Sequence, residues 1–108
     1  MKRSKATDIT QSIRAIVLER DKYQCVVCGN HSTLTLAHVY INRSHGGLGV
    51  PTNLATLCME CHHHLDNGKK HKQDGVRREV ETYMELQYGK PDLQLLKYKK
   101  WLNDTLEQ

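Results

Sequence analysis

The chain has no phenylalanine, a single tryptophan and two prolines among 108 residues, and only 38% of it is hydrophobic. A core without large apolar rings has little to bury, and a chain of this length buries a modest share of its surface in any case. No apolar run approaches the roughly 20 residues of a membrane-spanning helix. The opening Met1-Lys2-Arg3-Ser4-Lys5 carries no apolar segment of the secretory-signal kind. These absences argue against a membrane partner and lead to the expectation of a cytoplasmic protein. No internal repeat or low-complexity tract is present, so one domain spanning 1–108 is expected.

What is there compensates for the thin core. Small domains of this kind lean on a metal or on disulfides. The four cysteines fall into two pairs, Cys25-Val26-Val27-Cys28 and Cys58-Met59-Glu60-Cys61. In a reducing compartment that spacing favours thiolates on zinc over two disulfides. A closed tetrahedral site of Cys25, Cys28, Cys58 and Cys61 around a structural Zn²⁺ is therefore expected. The formal net charge is +4, with cations gathered at Lys2, Arg3 and Lys5, at Lys69, Lys70 and Lys72, and from Arg77 to Lys100. That suits a nucleic-acid partner, but solvated faces and tails give the same pattern.

The periodicities place these residues on elements. Ile9, Ile13, Ile16 and Val17 repeat at helical spacing, with Asp8 as the expected cap, Gln11 three residues on, and an end near Arg20 or Asp21. Tyr23 to Gly29 reads as a short strand into a turn, where Gly29 permits a tight zinc knuckle. Thr33 to Val39 alternates as a half-buried strand, which would put Leu34, Leu36 and His38 on one face; a bulge near its end would re-aim His38. Asn42 to Pro51 is a glycine-rich loop, and Leu54 to Leu57 a second strand. Cys58 to Asp66 reads as a helix stopped by Asn67-Gly68, with the second thiol pair at its N-terminus. Lys69 to Gly75 reads as a polar basic linker. Val76 to Gln87 is a predicted helix with Val76, Val80, Tyr83 and Met84 on one side. Gly89-Lys90-Pro91 breaks it, and a last helix is predicted from Asp92 through Trp101, Leu102 and Leu106. These stripes read as core or dimer packing.

His38, Asn53 and His62 lie between and just after the thiol pairs, fifteen and then nine positions apart. They are not needed to hold a zinc ion that already has four thiolates. Together with Cys-x-x-Cys-Gly upstream, the Arg43-Ser44-His45-Gly46-Gly47 loop, and Thr52-Asn53-Leu54-Ala55-Thr56-Leu57-Cys58 running into Cys61-His62, the series resembles the HNH endonucleases of the His-Me finger (ββα-metal) superfamily. The resemblance covers about Ile13 to Asn67. It implies an α+β fold: a small zinc-stabilised ββα-metal, treble-clef-like core (23–68) behind an N-terminal helix (1–22); the C-terminal helical extension (76–108) lies outside the resemblance and is read from its apolar stripes alone. The resemblance implies a metal-dependent DNA endonuclease that hydrolyses phosphodiesters, nicking or cutting both strands, and leaves 5′-phosphate and 3′-hydroxyl ends.

The same resemblance distributes the roles. His38 is implied as general base, since an unperturbed imidazole titrates near working pH. Asn53 is implied as the residue that holds the base in place through its side-chain amide. His62 is implied as ligand of a catalytic divalent cation: Mg²⁺, Mn²⁺, Ni²⁺ or Zn²⁺. Many members carry a ligand just before the base; here that position is Ala37. The proline usual three residues after the base is Ile41. Asp66 lies one helical turn after His62, so His62 and Asp66 are the expected pair, completed by water and phosphate. Arg43 is the candidate phosphate clamp and His63 a second phosphate contact; a surface arginine and an exposed helix histidine are the plain alternatives. DNA would be held mainly through its phosphate backbone, in a bacterial or phage-infected cell, by a monomer, a homodimer, or with a phage or bacterial protein partner. A non-catalytic zinc module for nucleic acid or protein, and a partner-dependent phage packaging accessory nuclease, are the other readings.

Overall fold

The computed structural model describes residues 3–98. Among them the helices are α1 (Arg3–Thr7), α2 (Gln11–Arg20), α3 (Met59–Asn67) and α4 (Lys70–Tyr88), and the strands are β1 (Leu34–His38) and β2 (Leu54–Cys58). The fold is α+β, with a two-stranded sheet at its centre.

α2 is capped by Thr10, not Asp8. The Thr10 backbone is extended and its hydroxyl oxygen accepts from the Ile13 amide at 3.2 Å, so one of the four unpaired amides of the first turn finds a partner. Asp8 turns away and pairs with Arg43. The helix ends at Asp21, and the next two residues, Lys22 and Tyr23, take left-handed backbone at φ 59° and 54°. No strand forms from Tyr23 to Gly29. The segment is a knuckle closed by the Gly29 amide on the Cys25 carbonyl at 2.9 Å, with Gly29 itself at φ 79°.

β1 and β2 pair antiparallel in unbroken register from Leu34↔Cys58 to His38↔Leu54. There is no bulge along that register. All five residues of β2 are buried, because helices cover both faces of the strand. On one side Val17 of α2 packs with Leu36 and Leu54. On the other, Ala37, Ala55 and Leu57 pack with Cys25, Cys58, Cys61, Leu65 and α4's Val80 and Met84. Leu34 joins this thiol-side cluster, so the face it was expected to share with Leu36 is divided between two cores. Val17, Leu54, Leu57, Val80 and Met84 are at most 1% exposed, and burial of each contributes about 1.5–3 kcal/mol.

α3 starts where Cys58 gives way to Met59. The Cys58 sulfur accepts from the Cys61 amide at 3.4 Å in the manner of an N-cap. Gly68 then reverses the chain with no left-handed turn (φ −71°). A β-carbon there would meet the His64 carbonyl oxygen at 2.5 Å, so glycine is required by close approach. The expected linker Lys69 to Gly75 is instead the first turns of α4. Lys70, His71, Lys72 and Asp74 face solvent, while Gln73 donates to the Leu65 carbonyl at 2.8 Å. This stretch lacks an apolar period because only Gln73 turns inward, by a hydrogen bond.

The predicted helix from Asp92 is one 3-10 turn, Leu93–Leu96, started by the Asp92 carboxylate on the Gln94 amide. Leu96 is buried, and its carbonyl accepts from the Leu48 amide at 2.9 Å. The chain then runs extended, Lys97 bridging to Gly47 and the Tyr98 amide donating to the Gly46 carbonyl. This pairing competes with helix and wins. The continuation through Trp101, Leu102 and Leu106 lies outside the described residues.

Candidate active site and thiol cluster

The knuckle and the start of α3 bring the four cysteines together. Their sulfurs all lie within 4.8 Å of one another, and those of Cys28 and Cys58 are 3.7 Å apart. A disulfide needs about 2.0 Å. A tetrahedron with Zn–S bonds of about 2.3 Å has edges of about 3.8 Å. The cluster thus has the dimensions of a structural zinc site and not of a bridge. Three of the thiols are buried and Cys28 is exposed. Burial, joined by the neighbouring sulfurs, pushes the Cys61 thiol well up. Burial also opposes ionisation at Cys25, but the amides of Cys28, Cys58 and Val27 outweigh it and hold that thiol at about 7. Four cysteines so close could hold a metal ion such as zinc, whose charge would offset that of the thiolates that bind it.

His38 ends β1, beside the loop that Asn53 organises. Asn53 is fully buried. Its carbonyl oxygen accepts from the Tyr40 and Ile41 amides at 3.0 and 3.2 Å; its amide donates to the carbonyls of Ile41 and Leu48 at 3.1 and 3.0 Å. The Asn53 backbone oxygen also takes the Val39 amide at 2.8 Å. The Asn53 side chain thus closes the loop from Tyr40 to Leu48, and its backbone oxygen holds the residue that follows His38.

The His38 ring is half-buried, and its Nε2 lies 3.1 Å from the backbone carbonyl oxygen of Thr7. A carbonyl only accepts, so Nε2 carries a proton, and in the neutral ring Nδ1 then holds the lone pair. Burial lowers the pKa of His38 below the ordinary imidazole value, and the charges of Arg43 and His62 act in the same direction, against the Thr7 carbonyl. The neutral ring, the form that can take a proton, is favoured.

His62 and Asp66 lie one turn apart on α3, with Nε2 and Oδ2 separated by 3.1 Å. That is hydrogen-bond distance, and it is also the separation of adjacent ligands about 2.1 Å from an octahedral ion, about 3.0 Å. Donor chemistry and spacing therefore fit a divalent cation with two protein ligands. Ala37 is 1% exposed and faces the core, so it adds none. Among the described residues the four cysteines are the one group of three or more ligating side chains in reach of a single ion. His63 is exposed, its ring 6.1 Å from that of His64. Arg43, in the 3-10 turn Arg43–His45, pairs with Asp8, both side chains about half exposed.

Two features were not visible in the sequence pattern. One is the Thr7 carbonyl on His38. The other is a clamp at the end of α2. Arg20 forms a two-pronged ion pair with Asp21 at 2.7 and 2.9 Å and donates to the carbonyls of Pro51 and Leu54, on either side of Asn53. Its guanidinium lies 5.9 and 5.7 Å from the ring centres of Tyr83 and Tyr88. Asp21 takes the Thr56 amide at 2.9 Å and the Tyr83 hydroxyl at 2.6 Å. Burial works against the Asp21 charge, but these donors keep its carboxyl below the usual range. Arg-Asp at the end of a helical pattern reads as an ordinary polar stop.

The fold and the thiol cluster define a small α+β domain compatible with a zinc site. It is similar to a solved structure of the Type IV phosphorothioation-dependent restriction endonuclease ScoMcrA, with a TM-score of 0.52 and 25% identity over 77% of this chain and 22% of that one. The chain spans about a fifth of the length of that enzyme. No family model matches the sequence, and no curated protein matches it. No helix among the described residues is long and apolar enough to cross a membrane.

Proposed function

We propose that the chain is a metal-dependent DNA endonuclease of the HNH, His-Me finger type, with His38 as general base. The observation that carries this reading is the hydrogen bond of the His38 ring: Nε2 donates to the Thr7 carbonyl, so in the neutral ring Nδ1 is the nitrogen that can accept a proton. The likeness to a restriction endonuclease supports the substrate class. In the proposed reaction His38 Nδ1 takes a proton from water, the water oxygen bonds to phosphorus, and the bond to the 3′ oxygen breaks, that oxygen taking a proton from a solvent water. The products end in a 5′ phosphate and a 3′ hydroxyl. Asn53 keeps the loop beside the base closed. His62 and Asp66 would hold the divalent cation, which when bound supplies polarisation of the phosphate and charge stabilisation at the departing oxygen. Arg43 would share its guanidinium between Asp8 and a phosphate, with His63 as a second phosphate contact. The four thiolates hold structural zinc and take no part in the chemistry.

The test is cleavage of supercoiled plasmid by protein already saturated with zinc, with Mg²⁺ or Mn²⁺ added and the new ends mapped. Nicked or linear DNA with 5′ phosphates is the expected result. The second reading is a non-catalytic zinc module; it is favoured by Arg43 being already paired and by Ala37 offering no ligand. Absence both of nicking and of a second metal-binding event in calorimetry would establish it over the first.

A further inference from the structure

The segment just before α2 crosses the site at three places. The Thr7 carbonyl meets the His38 ring at 3.1 Å. The Ala6 carbonyl takes the Gly49 amide at 3.0 Å. Asp8 pairs with Arg43. Thr7 is itself only 3% exposed. The segment can lie this low because residue 49 has no side chain: a β-carbon there would meet the Asp8 carbonyl oxygen at 2.2 Å and that of Thr7 at 3.1 Å. The backbone of Gly49 does not take positive φ, so close approach alone requires glycine.

We propose that residues 6–8, seated on Gly49, are a positioning strap for His38. The strap fixes the tautomer and tilt of the ring through a carbonyl thirty-one residues away, and Gly49 is the residue that lets it seat. This inference rests on the reading of His38 as general base. Neither Thr7 nor Gly49 touches substrate in this account; both act through the histidine. A neutral imidazole without the carbonyl distributes its proton over both nitrogens, and a ring free to turn loses the aligned geometry that proton transfer needs.

The experiment compares the parent with Gly49→Ala. Nitrogen-15 spectra of the imidazole rings report the tautomer directly. The parent should show His38 protonated at Nε2 and bare at Nδ1; Gly49→Ala should show averaged nitrogens. In plasmid cleavage kcat should fall by about 10–100-fold while KM holds, the signature of a misplaced catalytic group. Gly75→Ala is the control, because a β-carbon there meets nothing within 4 Å; it should change neither readout. Should Gly49→Ala fail to fold, Asp8→Ala loosens the strap from the exposed side and should shift the tautomer balance in the same direction, by less. A Gly49→Ala protein with the parent's tautomer and kcat within twofold overturns the proposal. Failure of the parent to cut DNA would sink the nuclease reading alone, since the spectra still decide whether the strap governs the ring.

Discussion

The two sides of the hairpin are held by different means. On one side the sheet meets α3, α4 and the thiols, and its cohesion is concentrated at a point: four sulfurs within 4.8 Å of one another. On the other it meets α2 and the strap, and its cohesion is distributed among hydrogen bonds that span long stretches of sequence: Arg20 to Pro51 and Leu54, Asp21 to Thr56, His38 to Thr7. With zinc in the cluster, the thiol side would decide whether the molecule folds. The α2 side sets the placement of His38 and Asn53. Damage to the first should unfold the molecule, whereas damage to the second should leave a folded protein that works badly.

The largest effect expected is on the thiol side. A structural zinc site contributes on the order of 10 kcal/mol to small domains that depend on it. Stripping the metal with a strong chelator, or Cys61→Ser, should abolish helical circular dichroism, and restoring zinc to the parent should restore it. A metal-stripped protein that keeps its helicity and its melting transition would erase the contrast between the two sides.

Next comes the clamp. Arg20→Ala leaves Asp21, 3% exposed, without its ion-pair partner. Breaking such a buried pair costs about 3–5 kcal/mol, measurable as a shift in denaturant midpoint with zinc stoichiometry unchanged. Tyr83→Phe removes a single hydroxyl from the same carboxylate and should cost less, about 1.5–3 kcal/mol. If both variants matched the parent, the α2 side would owe its order to apolar packing alone.

The pH dependence is the smallest effect and the most diagnostic of His38. Burial, then the charges of Arg43 and His62, hold its folded pKa below the ordinary value of about 6.5. The unfolded chain therefore binds the proton first as pH falls. Stability from this group is intact above the unfolded value and declines below it, levelling once pH passes the folded value. The rising limb of the cleavage rate should lie below the ordinary histidine pKa. His38→Gln should flatten the corresponding part of the stability curve, read from melting temperatures between about pH 4.5 and 7.5, from roughly two units below the ordinary value to about one above it.

The same contrast explains what the sequence could show. On the thiol side the signal is local: paired cysteines, alternation in Leu34–His38, and the Cys58 start of α3 are all visible within a few residues. On the α2 side the decisive partners are backbone carbonyls and a glycine whose role is an empty volume. Thr7 acts through an atom every residue possesses, so its identity carries no message. Gly49 looks like another loop glycine until Asp8 is seen against it. Asp8 read as a cap because both a cap and an ion-pair partner are acidic residues near a helix start; Thr10 was the better-placed acceptor. The first turns of α4 were misread because their inward tie is a glutamine. Among the described residues the helix predicted from Asp92 gives way at Lys97 to an extended pairing with Gly47 that no helical periodicity could reveal.

One comparison bears most directly on the chemistry. Parent and His38→Ala proteins, matched for bound zinc and for circular dichroism, are given the same plasmid and the same Mg²⁺ or Mn²⁺. The account expects the parent to cut and the variant to lose activity by about 100-fold to 10,000-fold, the usual worth of a positioned acid–base group. Equal cutting by the two would contradict it.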